Sequence, residues 1–379
     1  MLHILSFLIV LYILGRGVLP LPIGINIKIM VGFGLLIISQ KYLVYQYWGG
    51  SLFSPELPQW LIILSGWLYD AVVFAFFIYL LKDIGLIIVK LLQLVGLQYR
   101  VPASTMKEMA VLAILALVLS GYSVWEAVRV PEVKTTEVVL PRLPKELDGV
   151  RVVVISDLHS SAMIRQRNVQ AIVDRANGLN PDLILLTGDM IDGSVANREH
   201  DVEPLKELNA GYGVFACVGN HEYYSGFHDW MTKFDSLGIQ VLANRNEQLA
   251  IRGKVLTLIG VTDPVAKQFA LPEPDINLAL QEMKADGICI LMAHQPRGAW
   301  ENYRAGVDLQ LSGHTHGGMI QGIRMILEPF NDGFISGWYD VGQMKLYVSN
   351  GTGIWNGFPM RLGVPAEITQ IVLRADAEE

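Results

Sequence analysis

The chain opens with long unbroken apolar runs and continues with short ones, and the change falls near residue 125. A membrane-crossing helix needs about 20 apolar residues. Four runs meet that length: Leu2–Leu21, Ile25–Tyr47, Trp60–Leu81 and Met106–Val124. Ile84–Leu97 is shorter and carries Lys90, so it reads as an interfacial helix or as a continuation of the third run. Residues 125–149 hold Pro131, Pro141 and Pro144 with returning charge, and read as a linker. From Val150 onward the apolar runs shorten to four to six residues: Val152–Ile155, Leu183–Leu186, Val214–Val218, Leu256–Val261, Ile288–Met292 and Lys345–Val348. Such runs predict buried strands. Between them Val169, Ile172, Val173 and Ala176 fall at helical spacing, as do Leu278, Leu280 and Met283 less cleanly. The pattern therefore predicts an α/β protein. A transmembrane bundle of about four helices over 1–124 precedes a linker over 125–149 and a domain over 150–379, in which two sheets pack together with helices outside.

Composition supports the first half of that division. The chain is 52% hydrophobic and 17% charged, against roughly 25% charged in soluble domains. Residues 1–124 carry seven of its 29 Lys and Arg and four of its 36 Asp and Glu, so the first part is basic and the remainder acidic. An acidic domain cannot neutralise a nucleic-acid backbone, so no nucleic-acid partner is expected. Arg16 and Lys28 mark the first connection and Lys82, Lys90, Arg100 and Lys107 the third, while Gly49–Gln59 has no base. Basic connections favour the cytoplasm, which predicts a multi-pass membrane protein with its C-terminal domain outside the cytoplasm. Cys217 and Cys289 sit in apolar runs and read as small buried hydrophobes.

Five of the eight histidines lie in polar clusters that follow predicted strands. Asp157-Leu158-His159 follows the first strand of the domain, and Gly188-Asp189 with Asp192 the second. Gly219-Asn220-His221-Glu222 follows the third, His294 the run at 288–292, and Gly313-His314-Thr315-His316-Gly317 the run at 309–311. Strand ends converging on one rim are where an α/β sheet builds its site. Residues two apart in extended chain project to one side, so Asp157 with His159, and His314 with His316, can face a common locus. Carboxylate oxygen and neutral imidazole suit a divalent cation, and the glycines permit tight turns and close backbone approach.

This ordered set resembles the calcineurin-like metallophosphoesterase superfamily over about Val150 to Leu373, and its membrane-attached bacterial branch in particular. Met319-Ile320 after the His-x-His block, Pro359-Met360-Arg361 and Pro365-Ala366-Glu367-Ile368 are similar to that branch. The resemblance implies a two-sheet αββα sandwich and two divalent metal ions, with Mn, Fe, Zn or Co all admissible. One ion would be held by Asp157, His159, Asp189 and His316, the other by Asp189, Asn220, His294 and His314. His221 would protonate the leaving group with Asp192 orienting it, and Asn220, His221 and Arg361 would meet the substrate.

Two cations about 3.5–4 Å apart can share a hydroxide and neutralise phosphoryl oxygens during displacement. Protein phosphatases of the superfamily follow the second Asp with a phosphate-clamping Arg, where this chain has Gly193. Ser160 and Ser161 replace the more usual Leu-Gly. The expected function is thus membrane-bound hydrolysis of a phosphodiester or pyrophosphate, a lipid-linked one included. Two rivals stand beside it: a phosphomonoesterase acting on proteins or nucleotides, and a non-catalytic membrane sensor. Asp70, inside the third run, is an intramembrane carboxylate that reads as paired with a neighbouring helix.

Overall fold

A computed structural model describes residues 2–97, 105–281 and 287–376 and divides into two compact units. The first comprises Met1–Trp125 with Asn356–Met360, the second Glu126–Trp355 with Arg361–Glu379. Arg100 and Met283 lie outside the described residues.

The first unit contains helices α1 (Leu2–Ile13), α2 (Ile25–Ser39), α3 (Lys41–Trp48), α4 (Gln59–Leu94) and α5 (Met106–Val128), the last running on into the second unit. Four crossings were expected. Among the described residues two helices, α4 and α5, have the length and composition to cross a membrane, or three if α2 and α3 form one bent span. The local chemistry explains the difference. A π-turn over Leu14–Val18, carrying Gly15 and Gly17, ends the first helix early and leaves Leu2–Val18 a shorter apolar segment. The Ser39 hydroxyl donates back to the Leu36 carbonyl, 2.8 Å away, at the point where α2 and α3 bend by 51°. Ile84–Leu97 is largely a continuation of the third run, since α4 spans 36 residues without a break. Lys82 and Lys90 therefore lie within a helix, and the orientation drawn from charge loses that support. Asp70 is buried, and so is Lys41, whose ammonium sits among the rings of Tyr42, Tyr45 and Tyr69, 4.3 Å from the last.

Among the described residues the second unit has twelve strands. In chain order they begin with β1 (Glu132–Leu140), β2 (Arg151–Ile155), β3 (Leu183–Thr187), β4 (Val214–Cys217), β5 (Gln240–Val241) and β6 (Arg245–Ile251). They continue with β7 (Lys254–Gly260), β8 (Ile288–Met292), β9 (Leu309–Ser312), β10 (Gly337–Val341), β11 (Met344–Val348) and β12 (Glu367–Ala375). One sheet has the order β1-β12-β2-β3-β4-β5, the other β10-β11-β9-β8-β7-β6. Alternation along each strand explains the layering. Val152, Val154, Leu183 and Leu185 of the first sheet share a core with Leu256, Leu258, Ile290 and Leu311 of the second. The intervening Val153, Ile155, Ile184 and Leu186 face outward onto α6 (Gln166–Gly178) through Val169, Ile172, Val173 and Ala176. Ile259, Cys289 and Leu291 face the opposite outer layer with Ala279 and Ala299. The result is an α/β fold of two mixed sheets with helices on both outer faces.

The segment 125–149, read from sequence as a linker, is not free chain. It carries the end of α5 and strand β1, which pairs in parallel with β12 from Glu132–Glu367 to Leu140–Ala375. β1 is an edge strand with most of its first six positions exposed, so it lacks the alternation that betrays a strand. In each sheet the central strands are parallel, β2 with β3 and β4, and β7 with β8 and β9. Their C-terminal ends therefore share an edge, and every polar cluster singled out in the sequence lies at one of those ends.

Candidate metal centre

The loops after β2 and β3 remain hydrogen-bonded past the ends of their strands. Asp157 N donates to Gly188 O, His159 N to Asp189 O and Ser160 N to Met190 O, each at 3.0 Å. From the other sheet, Gly313 N donates to His294 O at 2.9 Å. Helix α7 (Val195–Val202) follows the β3 loop, and the β4 loop leads into the short helices α8 (Asn220–Tyr224) and α9 (Phe227–Ser236). Asn220 and His221 are thereby fixed on the first turn of α8. Its Glu222 carboxylate accepts from the backbone N–H groups of Gly219 (2.7 Å), Met190 (2.7 Å) and Asp189 (3.0 Å), binding the β3 and β4 loops together. A Cβ at Gly219 would overlap Asp189 Oδ1, and one at Gly313 would overlap Ser156 Oγ and Asp157 Oδ2, so both loops need glycine for close approach.

Five residues of the site hold left-handed backbone: Asp157 (φ 52°), His159 (46°), Asp189 (53°), His314 (70°) and His316 (49°). Non-glycine residues rarely adopt this region, and each such position stores strain that the surrounding hydrogen bonds must hold.

The side chains converge as the spacing predicts. Ligand atoms of Asp157, His159 and His316 lie within 4.8 Å of one another, as do those of Asp189, His294 and His314, and those of His159, Asp189 and His221. Asp189 Oδ2 is 3.0 Å from His294 Nε2 and 3.8 Å from His159 Nε2, between the two histidine groups. His159 Nε2 and His316 Nε2 approach to 3.2 Å. Asn220 Oδ1 is buried with no hydrogen-bond partner among the described residues, and the buried His294 Nε2 faces the Asp189 carboxylate. An unpaired polar atom is costly to bury unless something coordinates it, so this donor set fits cations. The far nitrogens are held too: His294 Nδ1 meets Thr187 O at 2.8 Å and His159 Nδ1 meets Asp192 Oδ1 at 3.2 Å, contacts that fix the ring orientation as in metal-binding imidazoles.

Electrostatics sorts the histidines. Burial, together with the charge on His294, lowers His314 to about 3. Burial, then His159 and Arg361, drives His316 well down as well. Both are thus neutral imidazoles at physiological pH, the form a metal binds. His221 behaves oppositely. Burial opposes its charged form, but Asp189 and Asp192 outweigh it and raise the pKa to about 9. Its Nδ1 lies 2.5 Å from Asp192 Oδ1, and its Nε2 lies 4.0 Å from Asp189 Oδ2.

Arg361 departs from expectation. Read from sequence as a substrate ligand, it is fully buried and donates to the carbonyls of Asn350 (2.7 Å), Gly353 (2.9 Å), Val364 (3.3 Å) and Gly351 (3.4 Å). A guanidinium committed to main-chain carbonyls braces the loop behind His316, whose Nδ1 is 3.3 Å away. Arg361→Ala is expected to cost roughly 3 kcal/mol, because several buried carbonyls lose their donor. Thermal melting of the detergent-solubilised protein checks this. An unchanged melting curve with a raised KM would restore the substrate role.

Sequence reasoning missed the second bond of Asp192, to His159, and the bracing role of Glu222, because neither follows from spacing. Trp355 also stands beside the site, its ring centroid 6.3 Å from that of His221. The loop that follows β11 packs against the site. Thr352 N donates to Ser156 O (2.6 Å) and Gly353 N to Asp157 O (2.8 Å). Ser160 and Ser161 are buried, and the Ser161 hydroxyl accepts from Met163 N and Ile164 N, shaping the turn after His159. Beside His294 opens a cavity of about 370 Å³, half lined by apolar side chains.

Residues 150–318 match the family model for calcineurin-like phosphoesterases. The chain is 31% identical over 327 residues to a zebrafish (Danio rerio) transmembrane protein with metallophosphoesterase domain, covering 84% of this chain and 74% of that one. It is 32% identical over 267 residues to an uncharacterized metallophosphoesterase of Campylobacter jejuni, covering 69% and 68%. The solved Haemophilus influenzae NAD nucleotidase aligns at a TM-score of 0.37 and 16% identity over 54% of this chain and 45% of that one. The chain belongs to the calcineurin-like phosphoesterase family. It is a metal-dependent hydrolase, and its long apolar helices and its transmembrane relative associate it with membranes.

Proposed function

We propose that the protein hydrolyses a phosphodiester or pyrophosphate with two divalent cations. One would be held by Asp157, His159, Asp189 and His316, the other by Asp189, Asn220, His294 and His314. The observation that carries this reading is Asp189 lying between two converging ligand groups, 3.0 Å from His294 Nε2, while Asn220 Oδ1 is buried with no hydrogen-bond partner among the described residues. Bound cations supply Lewis acidity and lower the pKa of the attacking water. The chain's own residues do the rest. Asp192 holds His221 Nδ1, so that Nε2 carries a proton toward the phosphate. Water adds to phosphorus, the bond to the leaving oxygen breaks, and that oxygen takes its proton from His221.

Gly193 favours a diester or pyrophosphate over a monoester. Its φ is 113°, its N–H donates to Ser225 Oγ (3.1 Å) and its carbonyl accepts from Trp230 Nε1 (3.0 Å), so an arginine at this position would have to hold a backbone conformation that glycine adopts freely and L side chains resist. With Mn²⁺ added, bis-p-nitrophenyl phosphate is expected to turn over at least about tenfold faster than p-nitrophenyl phosphate, a difference of roughly 1.4 kcal/mol in barrier. A preference for the monoester would sink the diester reading, and inactivity on both would favour a non-catalytic sensor. The membrane association makes a lipid-linked substrate the first one to test.

A further inference from the structure

Resting on that reading, we infer that Arg297 receives a second phosphoryl group of the substrate, which makes a pyrophosphate diester the preferred substrate class over a simple phosphodiester. Arg297 and the buried His294 both line the cavity of about 370 Å³, so a candidate metal ligand and a cation border the same space. The guanidinium is aimed by a relay from the interior. Asp263, buried, accepts both hydrogen bonds of the Gln295 amide (3.1 and 2.9 Å), which turns Gln295 Oε1 toward Arg297. Arg297 Nε donates to that oxygen at 3.1 Å, and Nη2 contacts it as well. Because the acceptor is an amide, the charge is oriented without being neutralised. Among the described residues Arg297 forms no ion pair, and Glu301 is the one acid on the same cavity wall. A fork-shaped donor held by a single neutral oxygen keeps its remaining N–H groups for a planar or tetrahedral anion. Val261, Pro264, Pro274 and Ile276 give the same cavity an apolar lining, which suits the apolar or flat group that follows the second phosphate.

The test compares the full-length protein with Arg297→Ala, Arg297→Lys and Gln295→Leu on diadenosine diphosphate and on bis-p-nitrophenyl phosphate, with Mn²⁺ in every assay. Arg297→Ala is expected to raise KM for the dinucleotide about tenfold and leave its kcat within about twofold, the signature of lost ground-state and transition-state binding alike. Both constants for bis-p-nitrophenyl phosphate should stay within about twofold. Arg297→Lys should recover part of the loss, and Gln295→Leu should reproduce part of it by releasing the fork. By calorimetry, the Kd of methylenediphosphonate should rise by a similar factor in Arg297→Ala. An unchanged KM for the dinucleotide, or equal damage on both substrates, overturns the inference. Wild-type activity on bis-p-nitrophenyl phosphate alone overturns it and spares the phosphoesterase reading, whereas activity on neither substrate removes both.

Discussion

His221→Ala is expected to keep its metal content and lose turnover by about 10²–10⁴, the usual contribution of a positioned general acid. His221 projects from the start of α8, its Nδ1 is held 2.5 Å from Asp192, and its Nε2 stands 4.0 Å from Asp189. It lies close to the ligand groups, yet the proposed cation sites are complete without it. The local field supports the role, since Asp189 and Asp192 overcome burial and raise its pKa to about 9, which keeps it protonated at neutral pH. Elemental analysis beside steady-state kinetics separates the alternatives. Metal lost together with activity would make His221 a ligand, in keeping with its place within 4.8 Å of His159 and Asp189. Full activity with full metal would make it structural.

Asp189→Asn is expected to be the more damaging change, with metal content falling from about two ions per chain to less than one and turnover falling to background. The substitution keeps the shape of the side chain and its backbone acceptor, Oδ1, which receives the His221 N–H at 2.8 Å. What disappears is negative charge at Oδ2, the atom 3.0 Å from His294 Nε2 and 3.8 Å from His159 Nε2. Removing it strips both proposed sites at once. Titrating Mn²⁺ into metal-free protein by calorimetry would show this directly. Two normal binding events in the variant would refute the shared role of Asp189.

The catalytic unit was legible in sequence to the extent that its chemistry sits beside strong local signals. β2, β3, β4, β8 and β9 are short and almost wholly buried, mostly apolar, and each is followed by a polar cluster. That combination places the strands and the rim together. β1, β6 and β10 escaped because edge strands with polar or half-buried positions show no such contrast. Arg361 was misread for a related reason. From sequence an arginine near a phosphoesterase motif suggests an anion, and only the fold shows its guanidinium enclosed by main-chain carbonyls. The bounds of the first helices turn on single residues, Gly15, Gly17 and Ser39, which hydropathy averages away.

The left-handed backbone at Asp157, His159, Asp189, His314 and His316 carries a consequence for how this centre can change. Apart from glycine, the residues that tolerate that conformation best are Asn, Asp and His. The residues that bind a cation through a short carboxylate, amide or imidazole are almost the same group. Each of the five positions therefore answers two demands that happen to name the same few side chains. Glutamate or glutamine could supply an oxygen donor there, but their longer side chains would sit on a backbone that resists them. The alphabet open to drift at the centre is small, and a chain that leaves it gives up the turn along with the ligand.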